Sequence, residues 1–290
     1  MNTPLISVVM PVHNGQNYLA DAIDSILMQT HRNLELIIVD DGSSDATSGI
    51  LLDYVRRDAK IQVITIPHRK GQGHAVNAGV KAAQGEWIAR MDADDIAHPQ
   101  RLVRQWQTME ALGLDACGSW AQCFGQSDRL ISPVKGQDAM RYELLFTCPL
   151  LGGTTLLRGV TARTHLYDER SFMEDYELCM RLVRTQRIGN IAEILLYYRI
   201  HSQQSTQRRR AIIRIYQQQW AQRYFKILFP RAPTADQDLF MEVLKRSPTL
   251  QTPEGMAAAE DLSARYFQTT DEEAQERLSK RWLKLRPMQV

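Results

Sequence analysis

The sequence predicts an α/β fold: a mostly parallel, twisted sheet with helices on both faces, followed by a helical C-terminal region. In the first hundred residues, short apolar runs typical of buried strands alternate with segments whose apolar residues recur at helical spacing. This alternation is typical of βαβ units, which form parallel sheets. The predicted strands also end in polar or acidic residues, and such sheets bind ligands at the carboxyl ends of their strands.

Four strands and three helices are predicted before residue 92. The strands are short and apolar, and they cover Ile6–Met10, Leu34–Val39, Ile61–Ile66 and Trp87–Met91. The helices lie between the strands and cover Tyr18–Met28, a segment from Ser44 or Asp45 to about Arg57, and a segment from the Gly71–Gly73 turn to Gln84. Each helix is thus expected to connect two parallel strands.

The second half of the chain is less regular. A helix is predicted over Pro99–Leu112, another begins at Phe172, and a strand follows over Ile191–Ile200. The segment Asp115–Gly159 is rich in glycine and has no clear periodicity. A long helix is predicted over Arg208–Phe229, and the polar remainder is expected to be helical.

Composition and cysteine usage predict a cytoplasmic protein. Of the 290 residues, 44% are hydrophobic and 23% are charged, which is ordinary for a soluble globular protein. No apolar run approaches the roughly 18 residues that span a bilayer. The four cysteines have no metal-type spacing, and the first residues do not resemble a signal peptide.

The basic residues are unevenly distributed along the chain. Between Ile194 and Ala235 there are eight arginines and lysines and no acidic residue, so the rest of the chain is net acidic. The eight are Arg199, Arg208, Arg209, Arg210, Arg214, Arg223, Lys226 and Arg231. This asymmetry predicts an anionic partner for the segment 199–231.

An acidic run at residues 90–95, Arg-Met-Asp-Ala-Asp-Asp, directly follows the fourth predicted strand. Three carboxylates this close repel each other unless a cation lies among them. Asp92 and Asp94 would point the same way from an extended backbone, and such oxygen ligands suit Mg²⁺ or Mn²⁺ together with phosphate. The run indicates a metal–diphosphate site; the alternative is a solvated loop in which Asp95 caps the next helix.

The ends of the other predicted strands support the metal site. The loops Pro11–Asn14 and Asp40–Asp45 follow the first two strands, so they are expected at the same edge of the sheet as the acidic run. Neither a GxGxxG turn nor a GxxxxGK[ST] loop is present. This argues against a dinucleotide dehydrogenase and a P-loop NTPase.

Seven motifs, taken in order and spacing, resemble those of family 2 glycosyltransferases of the GT-A fold. The motifs cover about the first 205 residues and are Val8–Asn14, Gln29–Thr30, Leu36–Asp45, Asn77–Gly79, Gly85–Asp95, Glu174–Leu178 and Tyr198–His201. Within the family, the chain is most similar to bacterial enzymes that build surface polysaccharide or lipooligosaccharide, including β-1,3-N-acetylglucosaminyltransferases. The resemblance implies a catalytic domain over 1–205, with a nucleotide-sugar half (1–95) and an acceptor half (96–205), and a helical region over 206–290.

The resemblance also implies which residues bind the donor. Family members hold the nucleotide base and ribose at the first two strand ends, here Pro11, His13, Asp40 and Asp41. Either aspartate could face the ligand, because each carboxylate can accept from a base N–H or a ribose hydroxyl. Asn77 matches a further position that contacts the nucleotide sugar.

Two segments depart from the family pattern. Val76 stands where many members carry arginine, and Arg69 and Lys70 are the candidates for the missing cation. The segment 149–155 lies where relatives often have a polar acceptor loop. Its small residues are expected either to shape the acceptor pocket or to form a turn.

Metal and catalytic roles follow from the same resemblance. Asp94 is expected to be the first ligand of Mn²⁺ or Mg²⁺, and Asp92 to be shared between ribose and metal. His201 matches a position that meets the diphosphate or metal, although a single histidine is often structural. Asp175 matches the catalytic base.

The implied reaction is inverting transfer of a sugar from a nucleoside diphosphate donor to a carbohydrate hydroxyl, on a carbohydrate or lipid-linked glycan acceptor. The donor is expected to be UDP-linked, such as UDP-GlcNAc or UDP-Gal. The alternative is a non-catalytic nucleotide-sugar-binding protein of the same fold. The basic segment 199–231 is expected either to contact an anionic membrane on its cytoplasmic face or to pack on the catalytic domain; no nucleic acid partner is expected.

Overall fold

The computed structural model describes residues 3–204, 210–245, 247 and 252–285. The chain forms two compact units, each built from two stretches of sequence. The first contains Met1–Pro133 and Leu150–Gln204, and the second contains Val134–Pro149 and Ser205–Val290. The expected acceptor half, 96–205, therefore differs from the first unit, because residues 134–149 group with the C-terminal helices.

The first unit contains a nine-stranded sheet. Its strands are β1 Ile6–Val12, β2 Leu34–Asp41, β3 Ile61–Ile66, β4 Trp87–Arg90, β5 Ile96–Ala97, β6 Ala116–Gly125, β7 Leu130–Ile131, β8 Leu156–Arg158 and β9 Ile188–Ile200. Their spatial order is β3-β2-β1-β4-β8-β6-β9-β5, and β7 pairs with β6. The predicted α/β class is confirmed.

Helices of both units connect or follow these strands. Those of the first unit are α1 Leu19–Leu27, α2 Thr47–Arg57, α3 Gln72–Ala82, α4 Arg101–Leu112, α6 Gly159–Thr164 and α7 Glu174–Thr185, with a 3₁₀ turn at Gly152–Thr154. Those of the second are α5 Gln137–Glu143, α8 Arg210–Leu228, α9 Thr234–Lys245, α10 Pro253–Tyr266 and α11 Glu272–Leu285. Among these described helices, none is long and apolar enough to cross a membrane.

Parallel pairing in the first half of the sheet places the loops that follow its strands at one edge. β1 pairs in parallel with β2 and β4, and β2 pairs in parallel with β3. The carboxyl ends of all four strands therefore meet at one edge, as the sequence predicts. Every residue of β1 is buried, which explains its continuous apolar run.

The second half of the sheet mixes strand directions. β8 runs antiparallel to β4 and to β6, whereas β6 and β9 pair in parallel. The short β5 pairs antiparallel with β9, with Ile96 opposite Tyr197. Continuing this register by two residues brings Asp94 next to Arg199, although the two lie far apart in sequence. The last strand of the domain is thereby placed against the acidic run.

Aromatic side chains form much of the core of the second unit. The rings of Phe225 and Phe240 stack with centroids 4.6 Å apart, and Phe229 packs edge-on against Phe225 at 5.0 Å. Tyr224 and Phe225 are each 1% exposed. These aromatic residues of the helix predicted over Arg208–Phe229 therefore pack within the protein; residues 208 and 209 lie outside the described part of the chain.

We predict that Gly79→Ala destabilises the first unit. A Cβ at Gly79 in α3 would lie 2.4 Å from Cγ1 of Val9 in β1, so the helix would have to move away from the sheet. We expect the free energy of unfolding in urea to fall by about 1–3 kcal/mol. Gly49→Ala in α2 is the control, because its Cβ meets no atom within 4 Å, and it should stabilise by about 0.5–1 kcal/mol. Equal effects of the two changes would contradict the prediction.

Candidate active site

The carboxyl ends of β1 and β2 carry the expected nucleotide-binding residues. Pro11 is buried in β1 opposite Val39, and His13 follows the strand with its Nδ1 2.8 Å from the carbonyl oxygen of Asp41. Asp40 accepts a hydrogen bond from the Ser43 N–H at 3.0 Å. The structure therefore brings Pro11, His13 and both aspartates to one edge.

Asp41 connects this edge to the loop before α3 by hydrogen bonds. Its two carboxylate oxygens accept from the backbone N–H groups of Lys70 and Gly71, at 2.7 and 2.8 Å. Gly42 makes the close approach possible, since it has a φ of +68° and a Cβ there would lie 2.7 Å from the Arg69 nitrogen. Both oxygens of Asp41 are engaged in this loop, whereas Asp40 has one local hydrogen bond among the described residues.

Asn77 makes its hydrogen bonds to protein groups. It is 2% exposed, its Nδ2 donates to the Tyr167 carbonyl and to Glu169 at 2.9 and 3.0 Å, and its Oδ1 accepts from the Tyr167 N–H at 2.9 Å. The amide is thus bonded to protein groups, and the expected contact with the nucleotide sugar stays a prediction. Asn77 fixes the segment that precedes α7.

A buried arginine connects the acidic run to α7. Arg90 is 3% exposed and is the last residue of β4. Its Nη1 donates to Oδ1 of Asp175, and its Nη2 donates to Oδ1 of Asp92 at 3.1 Å. Gln72 also donates to Asp92 at 3.2 Å. One guanidinium thus joins the first carboxylate of the acidic run to the expected catalytic base.

The 3₁₀ turn lies directly against this arrangement. A Cβ at Gly152 would lie 2.5 Å from Oδ2 of Asp175 and 2.7 Å from Nη1 of Arg90. A Cβ at Gly153 would lie 3.0 Å from Oδ2 of Asp92. The small residues of segment 149–155 therefore form a turn whose backbone closes over the carboxylates.

Asp94 and His201, both expected at the metal or diphosphate, lie next to each other at the same edge. Nε2 of His201 lies 3.0 Å from Oδ2 of Asp94, and the His201 ring packs against Tyr18 at 4.7 Å. Burial, with a smaller contribution from the charge of Asp92, raises the pKa of Asp94. Within the described ranges, no three histidine, cysteine or acidic side chains form a metal-holding group. A metal that also binds a diphosphate needs only one or two protein ligands, so this pair fits such an ion.

Asp95 is not the helix cap that the sequence suggested. It is fully buried, and its Oδ1 accepts from the Arg199 N–H at 2.8 Å. The cap position of α4 is Gln100, which makes no side-chain capping bond. Asp95 instead anchors the end of β9 beside the acidic run. The distance of Asp95 from the helix start, five residues, is the physical reason that the cap prediction is wrong.

Arg199 belongs to the site rather than to a basic surface. Its Nε donates to the Asp94 carbonyl at 2.8 Å, its Nη2 pairs with Asp21 at 2.9 Å, and its side chain is 16% exposed. The guanidinium also lies 4.6 Å from the ring centres of Tyr18 and Phe124. The prediction that Arg199 contributes to an anionic-membrane contact is therefore wrong, since its cation is enclosed by protein groups.

Apolar surroundings raise the pKa values of the two carboxyl groups at the start of α7. Asp175 borders a recess that is otherwise mostly apolar, lined by Ala116, Leu150, Gly152, Thr155, Leu157, Tyr167, Leu178, Cys179 and Leu182. Burial raises the pKa of Asp175, and the Arg90 charge opposes that shift. Burial and the adjacent Asp175 charge raise the pKa of Glu174 to about 7. A carboxyl group with a raised pKa holds a proton more readily, as a general base must.

Sequence reasoning missed three contributors to this site. The first is Arg90, to which the sequence analysis gave no role. The second is Tyr167, whose ring lies 5.6 Å from the Arg90 guanidinium. The third is Gln72, which donates a hydrogen bond to Asp92 from the start of α3. One signal was present for Arg90: a single cation stands two residues before the first of three carboxylates. Tyr167 and Gln72 had no signal, because their partners are distant in sequence.

We predict that Glu174 makes the protein less stable as pH rises towards neutrality. Because its pKa is about 7 in the folded chain and about 4.3 when unfolded, the folded state binds the proton more tightly. The contribution of Glu174 to the free energy of unfolding is therefore fully present below about pH 4.3. This contribution, on the order of 1–3 kcal/mol, is lost as pH rises through 7. Urea unfolding between pH 5 and 7.5 should show a weaker pH dependence in Glu174→Gln. The exposed Glu86→Gln is the control; unchanged dependence in Glu174→Gln would contradict the prediction.

The fold is similar to those of two solved proteins in complex with nucleotide sugars. Staphylococcus aureus TarS, residues 1–349, in complex with UDP-GlcNAc, is similar with a TM-score of 0.65 and 15% identity, over 97% of this chain and 88% of that chain. The mannosyltransferase PcManGT from Pyrobaculum calidifontis, in complex with GDP-Man and Mn²⁺, has a TM-score of 0.60 and 16% identity, over 98% and 81% of the two chains. At these identities the likeness shows the GT-A-like fold alone.

Sequence comparison gives the family. An uncharacterized glycosyltransferase of Haemophilus influenzae is 28% identical over 71% of this chain and 68% of its own length, and one of Rickettsia typhi is 32% identical over 70% and 66%. The alignments thus span about two thirds of these relatives. The family model described as glycosyl transferase family 2 matches residues 7–155. The chain therefore belongs to glycosyl transferase family 2.

Proposed function

We propose that this protein is an inverting glycosyltransferase that moves a sugar from a nucleoside diphosphate donor to a carbohydrate hydroxyl. The observation that carries the proposal is that Arg90 joins Asp92 to Asp175, while Asp94, two residues after Asp92, lies 3.0 Å from His201. Donor-binding groups and a base thus share one sheet edge. Membership of glycosyl transferase family 2 supports the reaction class.

Asp40 is the better candidate than Asp41 to meet the nucleotide. Asp41 already uses both oxygens on the backbone of Lys70 and Gly71, whereas Asp40 has one local bond, to Ser43. A carboxylate with a remaining acceptor position can bind a base N–H or a ribose hydroxyl. Pro11 and His13 line the same edge, and Asn77 orders the segment beside it.

Asp94 and His201 would hold a divalent cation, with Asp92 shared between the cation and the ribose. When bound, Mn²⁺ or Mg²⁺ supplies positive charge that stabilises the negative charge growing on the leaving diphosphate. The described residues provide two ligands at 3.0 Å from each other, and the diphosphate would complete the coordination.

Asp175 would act as the general base. As the acceptor oxygen forms its bond to the anomeric carbon, its proton passes to Asp175, and the bond from that carbon to the diphosphate oxygen breaks. The products are the extended glycan with inverted configuration and the nucleoside diphosphate. Arg90 holds the carboxylate, and the apolar recess around it limits access of water.

The proposal also names a class of donor and a class of acceptor. A UDP-linked sugar such as UDP-GlcNAc or UDP-Gal is favoured, and TarS in complex with UDP-GlcNAc is among the similar structures. The acceptor would be a carbohydrate or lipid-linked glycan of bacterial surface polysaccharide or lipooligosaccharide, handled in the cytoplasm. The alternative function is non-catalytic binding of nucleotide sugars; metal-dependent donor hydrolysis across a panel of nucleotide sugars separates the two.

The second candidate partner is an anionic membrane surface, favoured by one face of α8. Ile212, Ile215 and Ile227 are 48, 55 and 37% exposed on this helix, and Arg223 and Lys226 are exposed on the same face. A helix that presents apolar and basic residues together is typical of an interfacial helix. Of the eight basic residues in 199–231, Arg199 belongs to the site, and Arg208 and Arg209 lie outside the described residues.

We predict that Asp175→Asn separates transfer from binding. The amide cannot accept the acceptor proton, so transfer should fall by about 10²–10⁴-fold. Because Asp175 is not among the proposed ligands of the nucleotide or the metal, calorimetry with the nucleoside diphosphate and Mn²⁺ should give near wild-type affinity. Glu174→Gln is the matched control at the adjacent position. Wild-type transfer by Asp175→Asn together with an inactive Glu174→Gln would show that the base is Glu174.

We predict that Asp94→Asn removes metal-dependent donor binding. The mutant loses an anionic ligand but keeps the shape of the side chain, so Mn²⁺ should no longer increase the affinity for nucleoside diphosphate. Titration with and without Mn²⁺ measures this directly. Asp21→Asn is the control, because Asp21 pairs with Arg199 at the rim and is not a proposed ligand. Metal dependence that persists in Asp94→Asn would contradict the assignment.

We predict that the protein sediments with anionic liposomes at low salt and is released at high salt. Ile215→Ser should weaken this binding, because it removes apolar area from the exposed face of α8. Val160→Ser is the control: Val160 is 67% exposed on α6 and outside the proposed face. Absence of binding at low salt, or equal loss in both variants, would contradict the membrane contact.

A further inference from the structure

Arg90 occupies a position that the reaction chemistry alone does not explain. Its side chain is 4% exposed, yet it carries a full charge between two carboxylates from separate parts of the chain. Asp92 belongs to the loop after β4, whereas Asp175 belongs to the first turn of α7. Pairing with carboxylates offsets the cost of burying such a cation.

The guanidinium has little freedom to move. Its own backbone carbonyl accepts a 2.6 Å hydrogen bond from the fully buried Arg101, and β4 is fixed by pairing with β1 and β8. The backbone at Gly152 leaves no room for a Cβ between Arg90 and Asp175. Tyr167 covers the guanidinium from another side at 5.6 Å. The cation is therefore a fixed point at the end of a central strand.

Asp175 depends on that fixed point for its orientation. It lies at the start of a helix, where side chains have several rotamers available, and its Oδ1 is bonded to Arg90. Asp92, Glu174 and Asp175 would also repel each other without the guanidinium. Loss of Arg90 would leave two carboxylates to separate from each other and from the geometry of transfer.

We propose that Arg90 is the positioning residue that sets the distance between the donor-side carboxylate Asp92 and the base Asp175. This inference rests on the proposed transfer reaction and deepens it, because it assigns the residue that aligns the acceptor proton with the donor. Arg90 acts through its planar fork: one terminal nitrogen serves each carboxylate. A lysine ammonium carries the same charge but cannot hold both carboxylates in that geometry.

The test is a double-mutant cycle between Arg90 and Asp175, measured on the full chain as kcat and as affinity for UDP with Mn²⁺. Arg90→Gln should lower kcat by about 10–100-fold, and Arg90→Lys by at least about tenfold, since misplacement of a catalytic group costs rates of this order. Nucleotide affinity should change by less than about threefold, because Arg90 is not a proposed ligand of the nucleotide and Asp92 keeps its hydrogen bond from Gln72. The stoichiometry of UDP binding should stay near one UDP per chain in each variant.

The cycle distinguishes positioning from general structural support. If Arg90 acts through Asp175, then Arg90→Gln in the Asp175→Asn background should lower the residual rate by less than about threefold. A loss in that background equal to the loss in wild type overturns the inference, as does full activity of Arg90→Lys. Arg158→Gln is the matched control: Arg158 sits at the other end of the β4–β8 pair, stacked on Trp87 at 4.6 Å, and its substitution should leave kcat unchanged.

A folding defect is recognised independently. If Arg90→Gln unfolds, the Arg90→Gln/Asp175→Asn variant, which removes the cation together with one of its carboxylates, should recover part of the lost thermal midpoint. No recovery overturns the inference. Failure of the proposed function would appear in the wild type itself, as the absence of transfer and of donor hydrolysis, whereas failure of this inference would appear only in the variants.

Discussion

The interaction on which the site depends is a buried arginine shared by two carboxylates. Burying a lone guanidinium at the end of a central strand would cost far more than the few kcal/mol by which proteins are stable. Asp92 and Asp175 both reach Arg90 and offset much of that cost. This pairing ties the loop after β4 to the first turn of α7, and it forces a glycine turn to pass between them.

Local patterns made much of the fold predictable. The strands and helices of the first hundred residues follow from apolar periodicity, and the convergence of loops after β1, β2 and β4 follows from parallel pairing. β5 had no such signal, since a two-residue strand carries no periodicity, and its pairing with β9 brings Arg199 to the acidic run. Long-range partners of this kind are set by packing.

The difference between local sequence patterns and long-range partners also explains how the expectations for single site residues compare with the structure. Asp94 and His201 belong to two separate motifs and were each expected at the metal or diphosphate, and the structure places them 3.0 Å apart. Asn77 was expected to face the ligand, yet its amide is used on the Tyr167 backbone, a partner 90 residues away. Asp95 was read as a local cap, although its partner is the N–H of Arg199. A polar residue at a strand end can serve either ligand or protein, and only the fold decides.

The second unit is built from two separate stretches of the chain, and this limits how the chain can be shortened. α5 packs against α11, and Phe146, which follows α5, touches Phe240 and Phe267. A shortened protein ending near residue 204 would keep α5 but lose these neighbours, so apolar side chains such as Met140 would face water. Exposed apolar surface of this kind promotes aggregation. A fragment limited to the first unit would therefore also need the segment 134–149 replaced by a short polar loop.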